Sequence, residues 1–173
     1  MKKIISAIIL VSVLLLGLCA CADTVKYENV TYRENGIEFF LPSSMRRESV
    51  DGYDFYFSNL AASIIFTAVK VDEELLRDLD IDGPVNDEEY VNILIERNKL
   101  DKEKMYYNYD EVRGHYNFRY SYEDADGFAT FYYIVVIGDE SNLWYIEMCC
   151  KNEDSNTHLE TFKTWKRNIK VYS

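Results

Sequence analysis

The segment His115-Tyr-Asn-Phe-Arg-Tyr-Ser-Tyr122 alternates strictly: Tyr116, Phe118, Tyr120 and Tyr122 point one way, and His115, Asn117, Arg119 and Ser121 the other. A period of two held over eight residues is the signature of a strand with two unlike faces. Glu123-Asp-Ala-Asp-Gly127 follows as a hairpin signal, with Gly127 free to take a positive φ. Phe128 to Ile137 returns as a long apolar strand, and Gly138 to Asn142 turns the chain into a third strand, Leu143 to Cys150.

The same alternation appears upstream. Ile37, Phe39 and Leu41 share a face before Pro42 ends the ladder, and Tyr53, Phe55 and Phe57 are expected to do so in the next segment. Ala61 to Lys70 reads as a buried strand. Helical spacing is confined to three places. A short helix is expected over Asp72 to Leu79. Asn86 with Glu89 forms a capping-box start, followed by the apolar stripe Tyr90, Val91, Leu94 and Ile95 through about Lys99. The last helix runs from about Ser155 to Arg167, with Leu159, Phe162 and Trp165 inward and Lys163, Lys166 and Arg167 near its C-terminus, where cations suit the dipole. Hairpins with helices in the middle and at the end predict an α+β domain: a mainly antiparallel β-sheet covered by helices. With only Pro42 and Pro84 in 173 residues and no repeat or low-complexity tract, one continuous domain is expected.

The N-terminal residues carry a different message. Lys2 and Lys3 precede an apolar run from Ile4 to Leu18, the layout of a signal peptide and shorter than the roughly 20 apolar residues a spanning helix needs. Leu18-Cys19-Ala20-Cys21 resembles the bacterial lipobox. It makes residues 1–20 the expected leader, Cys21 the expected lipidated residue, and 21–29 a tether to a domain over 30–173. Two acyl chains, at about 0.8 kcal/mol per buried methylene, hold a protein on a membrane without a spanning helix. The competing reading is ordinary cleavage after Ala20-Cys21-Ala22, releasing a chain that begins at Asp23. Without the leader's two lysines, 17 basic residues face 30 acidic ones, a net charge of −13. Such a surface repels phosphate backbones, so nucleic acid and anionic lipid are poor partners.

Taken in order, Ile37-x-Phe39-x-Leu41-Pro42, the central Glu89-Tyr90 helix, and Trp144-x-Ile146-x-Met148-x-Cys150 feeding a helix with Phe162 and Trp165 resemble the PsbP-like superfamily. The resemblance covers nearly all of residues 30 to 172 and implies a PsbP-like α/β/α sandwich. Many members of the family are bacterial lipoproteins. Met45 departs from the pattern, standing where members often carry tryptophan after the proline turn. The motifs are core aromatics and turns, so the resemblance supplies no catalytic residue.

Several groupings could carry chemistry. Asp78, Asp80, Asp82, Gly83 and Glu89 satisfy the spacing of a calcium loop, although Ile81 and Pro84 stiffen positions where flexibility is usual. The same residues also read as a polar interhelix loop with Asn86 as a helix cap. Only His115 and His158 are available as bases for a nucleophilic relay, and both are expected at surface or edge positions. Cys149 and Cys150 alternate to opposite sides of a strand; a vicinal disulfide or redox role is the alternative to packing. The tyrosine row over 116–122 reads as the inward face of a sheet, with a ligand platform as the other possibility. No cofactor, metal ligand or catalytic residue is assigned. The expectation is a non-enzymatic binding or accessory lipoprotein, held to the membrane by its lipid and serving an envelope protein or ligand. The alternatives are a small carboxylate-dependent hydrolase, which needs two carboxylates of raised pKa in one cleft, and an acidic immunity-type protein that binds a basic partner.

Overall fold

The computed structural model describes residues 28–172; the expected leader, Cys21 and most of the expected tether lie outside the described residues. Among the described residues ten strands form two antiparallel sheets. The larger contains β3 (Arg46–Glu48), β4 (Phe55–Asn59), β5 (Ile64–Val71), β6 (Tyr106–Asp110), β7 (His115–Glu123), β8 (Ala129–Ile137) and β9 (Leu143–Lys151), in the spatial order β3-β4-β5-β9-β8-β7-β6. The smaller pairs β1 (Asn29–Glu34), β2 (Ile37–Pro42) and β10 (Lys170–Val171), with β2 in the centre. Three α-helices complete the described residues: α1 (Glu73–Asp78), α2 (Asp87–Arg97) and α3 (Ser155–Arg167). None is long and apolar enough to cross a membrane.

Both faces of the large sheet are covered, each by its own core. On one face, Phe57, Phe66, Ile146, Met148 and Val135 pack with Ile37, Phe39 and Leu41 of the small sheet and with Phe162 and Trp165 of α3. On the other, Val71, Phe118, Ile134, Val136 and Leu143 pack against Leu76 of α1 and Tyr90, Val91 and Ile95 of α2. The result is the expected α+β architecture, with helices on both sides of an antiparallel sheet. Met45 joins the first core at 4% exposure, filling that position with a flexible thioether in place of an indole.

Local chemistry sets the turns. In the β7–β8 hairpin the Asp124 carboxylate accepts from the backbone N–H groups of Asp126 and Phe128, and Gly127 takes φ 83°. The β8–β9 turn is tighter. Gly138 has φ 125°, and a Cβ there would stand 2.1 Å from the Asn142 carbonyl oxygen, so only glycine fits.

The capping box also forms: the Asn86 side chain accepts from the Glu89 N–H at 3.0 Å, and the Glu89 carboxylate accepts from the Asn86 N–H at 3.1 Å. Asn86→Ala removes one half of it. The expected loss is about 1 kcal/mol of unfolding free energy in urea titration, with Asn86→Asp close to wild type.

The structure departs from the sequence reading at particular residues. Phe55 and Phe57 are buried as expected, but Tyr53 precedes β4 and is 42% exposed. Residues 61–63 belong to the β4–β5 turn, so the buried strand starts at Ile64. The short strands β1, β3, β6 and β10 carry no strong apolar alternation and are edge or near-edge pairings fixed by their neighbours. His115 is the largest correction. The alternation predicts a surface or edge position for it, yet it is 1% exposed, because α3 covers the face of β7 opposite the tyrosine row. His158, in the first turns of α3, is half-buried, with its ring 6.3 Å from that of Phe162.

Candidate functional site

The register across the large sheet aligns Tyr56, Thr67, Glu147, Ile134 and Phe118 in one row, from β4 through β5, β9 and β8 to β7. The next row carries Ser58, Ile65, Cys149, Tyr132 and Tyr120. Both rows lie on the α2 side. The helix shields Phe118 and Ile134 but ends before the last residues of β7, so the tyrosine row divides: Phe118 is 2% exposed, Tyr116 and Tyr120 are half-buried, and Tyr122 is 58% exposed. Phe118 alone is fully core; Tyr116 and Tyr120 pack against it on either side.

Where the helix stops, a hollow of about 340 Å³ opens, walled by Tyr120, Tyr122, Tyr132 and Tyr145 and roofed by Asn98 and Leu100. The Tyr120 and Tyr132 rings are direct cross-strand partners and stack at 5.0 Å and 15°. Tyr145 is braced by Tyr90 of α2, edge to face at 6.4 Å. These rings are therefore held by strand pairing and by a helix, which leaves them little rotamer freedom to lose on binding.

Glu147 stands in this aromatic wall. Its Oε2 accepts a 2.7 Å hydrogen bond from the Tyr145 hydroxyl, and among the described residues it has no ion pair. Burial pushes its carboxyl above the usual range, against the smaller downward pull of the Tyr145 hydrogen bond. Burial raises Tyr120 above its ordinary value too, and the negative charge of Glu147 adds to this. In the adjacent position on β5, the Thr67 hydroxyl is buried and has no hydrogen-bond partner in the protein. A carboxylate that lines the hollow and a buried hydroxyl outside its lining are thus cross-strand neighbours with few polar groups to satisfy them.

On the opposite face, Asp110 of β6 collects cations. Its Oδ2 lies 3.1 Å from Lys166 Nζ of α3, 3.6 Å from Arg113 and 3.8 Å from His115 Nε2. Partial burial pushes the Asp110 carboxyl up, but Lys166, His115 and Arg113 together outweigh that and hold it below the usual carboxylate range. Burial, reinforced by the Lys166 charge, drives His115 down to about 4 despite the nearby carboxylate, so the imidazole is neutral at pH 7. Neither ring nitrogen has a hydrogen-bond partner. The cluster ties α3 to the edge of the sheet, and its acceptor is already shared between two cations, Lys166 and Arg113, beside a neutral imidazole.

The other sequence candidates are not brought into reactive arrangements. Glu89 is engaged in the capping box, and the Asp78–Glu89 stretch links α1 to α2; among the described residues no group of three or more His, Cys, Asp or Glu is placed to hold a metal. Cys149 and Cys150 are free, buried thiols on opposite faces; burial raises them to about 12 and about 11, which suppresses the thiolate needed for exchange. Two carboxylates are raised by burial, Glu147 and Asp87, but they line separate hollows, so the paired-carboxylate cleft of the hydrolase alternative is not assembled from them. A larger hollow of about 760 Å³ at the β8–β9 turn is open, and its charged side chains Arg113, Asp139, Arg167 and Lys170 are all exposed.

No family model and no curated protein matches the sequence. Solved structures do. The solution structure of cyanobacterial PsbP (CyanoP) from Synechocystis sp. PCC 6803 superposes with a TM-score of 0.58 at 15% identity, over 88% of this chain and 98% of that one. A crystal structure from Bacteroides thetaiotaomicron VPI-5482 superposes with a TM-score of 0.54 at 7% identity over 86% of this chain, which spans half of that protein's length. Identities this low establish architecture and leave activity open. The helix-covered antiparallel sheet that carries the tyrosine-walled hollow is the PsbP-like fold.

Proposed function

We propose that this protein is a lipid-anchored module on the extracytoplasmic face of the cell membrane that binds or assists another envelope component without catalysing a reaction. The observation that carries the binding role is the tyrosine-walled hollow: rigid aromatic rings beside a carboxylate that has no cationic partner, on the sheet face left open where α2 ends. Preformed pockets of a few hundred Å³ with a few placed polar groups suit recognition. The anchor rests on the basic-apolar leader and on Leu18-Cys19-Ala20-Cys21, with the net charge of −13 keeping the tethered domain in solution beside the membrane.

Mass spectrometry of the mature N-terminus tests the anchor. The expected species begins at Cys21 and carries diacylglycerol mass on its thiol, and Cys21→Ala shifts the protein from the membrane fraction to the soluble fraction or leaves its leader uncleaved. An unmodified chain starting at Asp23 would refute it. The binding role is tested by crosslinking in intact cells. A specific partner or ligand recovered with wild type and lost from Tyr132→Ala supports it; identical recovery from both proteins removes the hollow from that role.

A further inference from the structure

The hollow also indicates what kind of molecule fits it. We propose that it takes a small soluble ligand bearing an alkylated ammonium group, with the Glu147 carboxylate as its counter-charge and the Tyr120, Tyr132 and Tyr145 rings as its walls. This rests on the binding role above and adds the ligand class.

The argument begins with charge. Glu147 lies mid-sheet on β9, flanked in its row by Thr67 and Ile134 and along its strand by Tyr145 and Cys149. Among the described residues no cation pairs with it, although eight other acid–base contacts within ion-pair distance are made elsewhere in the domain. Removing a carboxylate from water without a compensating charge is costly, so such a group in a concave site favours an incoming cation. The Thr67 hydroxyl, 2% exposed and unpartnered, is a second polar group in the same row that the protein itself does not satisfy.

The walls select among cations. A hard divalent ion needs six or more oxygen ligands, preferably charged, and this hollow offers one carboxylate with the Asn98 amide and neutral tyrosine hydroxyls beside it. Aromatic faces attract cations through the ring quadrupole and favour soft, poorly hydrated ones, which is why rings grouped about an anionic residue recognise alkylated ammonium groups. Further tyrosines extend the surface: Tyr53 and Tyr56 meet at 5.8 Å, and the pKa of Tyr53, raised mainly by burial, is raised further by the Glu147 charge. At about 340 Å³ the hollow suits a small molecule.

The test uses the full-length protein purified in a maltoside detergent, which carries no ammonium group of its own. Calorimetric titration with choline and with its neutral carbon isostere, 3,3-dimethylbutan-1-ol, separates charge from shape. Choline is expected to bind saturably, at least tenfold more tightly than the isostere. Glu147→Gln, which keeps a hydrogen-bond acceptor for Tyr145, is expected to weaken choline at least tenfold and leave the isostere unchanged. Tyr132→Leu provides a second variant that removes a wall without touching the carboxylate, and it is expected to weaken both ligands. No choline binding at millimolar concentration, equal affinity for the two ligands, or an unchanged choline affinity in a folded Glu147→Gln protein would overturn the assignment. A chain that ignores choline but still recovers a crosslinked partner lost from Tyr132→Ala overturns the ligand class and leaves the binding role standing.

Discussion

Replacing Asp110 by alanine is expected to destabilise the domain by about 3 kcal/mol, read as a lower urea midpoint with an unchanged slope. Lys166 is the reason. Its ammonium lies 3.1 Å from the Asp110 carboxylate, and the side chains of Lys166 and Asp110 are only 11% and 15% exposed. An exposed pair contributes less than about 1 kcal/mol, whereas removing one partner of a buried pair strands the other charge in poor solvent. Lys166→Met in the Asp110→Ala background removes the stranded ammonium and keeps much of its apolar stem, so the double variant is expected to recover most of the loss. A cost below 1 kcal/mol for Asp110→Ala alone would show that the Lys166 head group escapes to water along its flexible stem, and that α3 is held by its apolar face alone.

The second large effect is a pH dependence placed by His115. The folded protein holds this imidazole neutral down to about pH 4, while the unfolded chain protonates it near 6.5. Its contribution is therefore complete above pH 6.5 and is lost progressively as the pH falls towards 4. At about 1.4 kcal/mol per pH unit the ceiling is about 3 kcal/mol. His115→Leu, which also removes two buried nitrogens without hydrogen-bond partners, is expected to flatten this window.

Other groups have different signatures. Asp110, held below the usual carboxylate range, contributes stability that is lost only at lower pH, below the His115 window. Glu147 has the opposite sign, because its raised carboxyl is more easily protonated in the folded state and favours folding as the pH drops. Both carboxylates are kept in the variant, and Asp110, which His115 helps to hold down, titrates below this range, so the difference between the two proteins at pH 6.5, 5.5 and 4.5 reports chiefly the histidine. Parallel stability curves across that range would show that His115 is solvated or hydrogen-bonded in solution.

The tyrosine row shows how far periodicity reaches. Alternation assigned Tyr116, Phe118, Tyr120 and Tyr122 to one face, and that face is correct. It could not say where along the strand the cover would stop. That is decided by the length of α2, eleven residues and about 16 Å, laid against a nine-residue strand. The wall of the hollow therefore comes half from a legible pattern and half from a helix ending. Glu147 was less legible still. In Leu143-Trp-Tyr-Ile-Glu147-Met-Cys-Cys150 it is the only acidic residue, and an acidic residue inside a central apolar strand was the available signal.

Local chemistry written in the chain determined the elements of this protein: period-two alternation on the major strands, the Asn86–Glu89 cap, the apolar stripe of each longer helix, and the glycine turns at 127 and 138. These follow from interactions between residues a few positions apart, which is why they can be read one segment at a time. Tertiary structure alone decided which faces were covered. His115 is buried because α3, some fifty residues later, returns across β7, and Asp110 meets Lys166 only through that return. The pairing of β10 with β2 and the alignment of Thr67 with Glu147 likewise join residues separated by most of the domain. Burial, pKa and the shape of a hollow are properties of such long-range neighbours, and no local pattern encodes them.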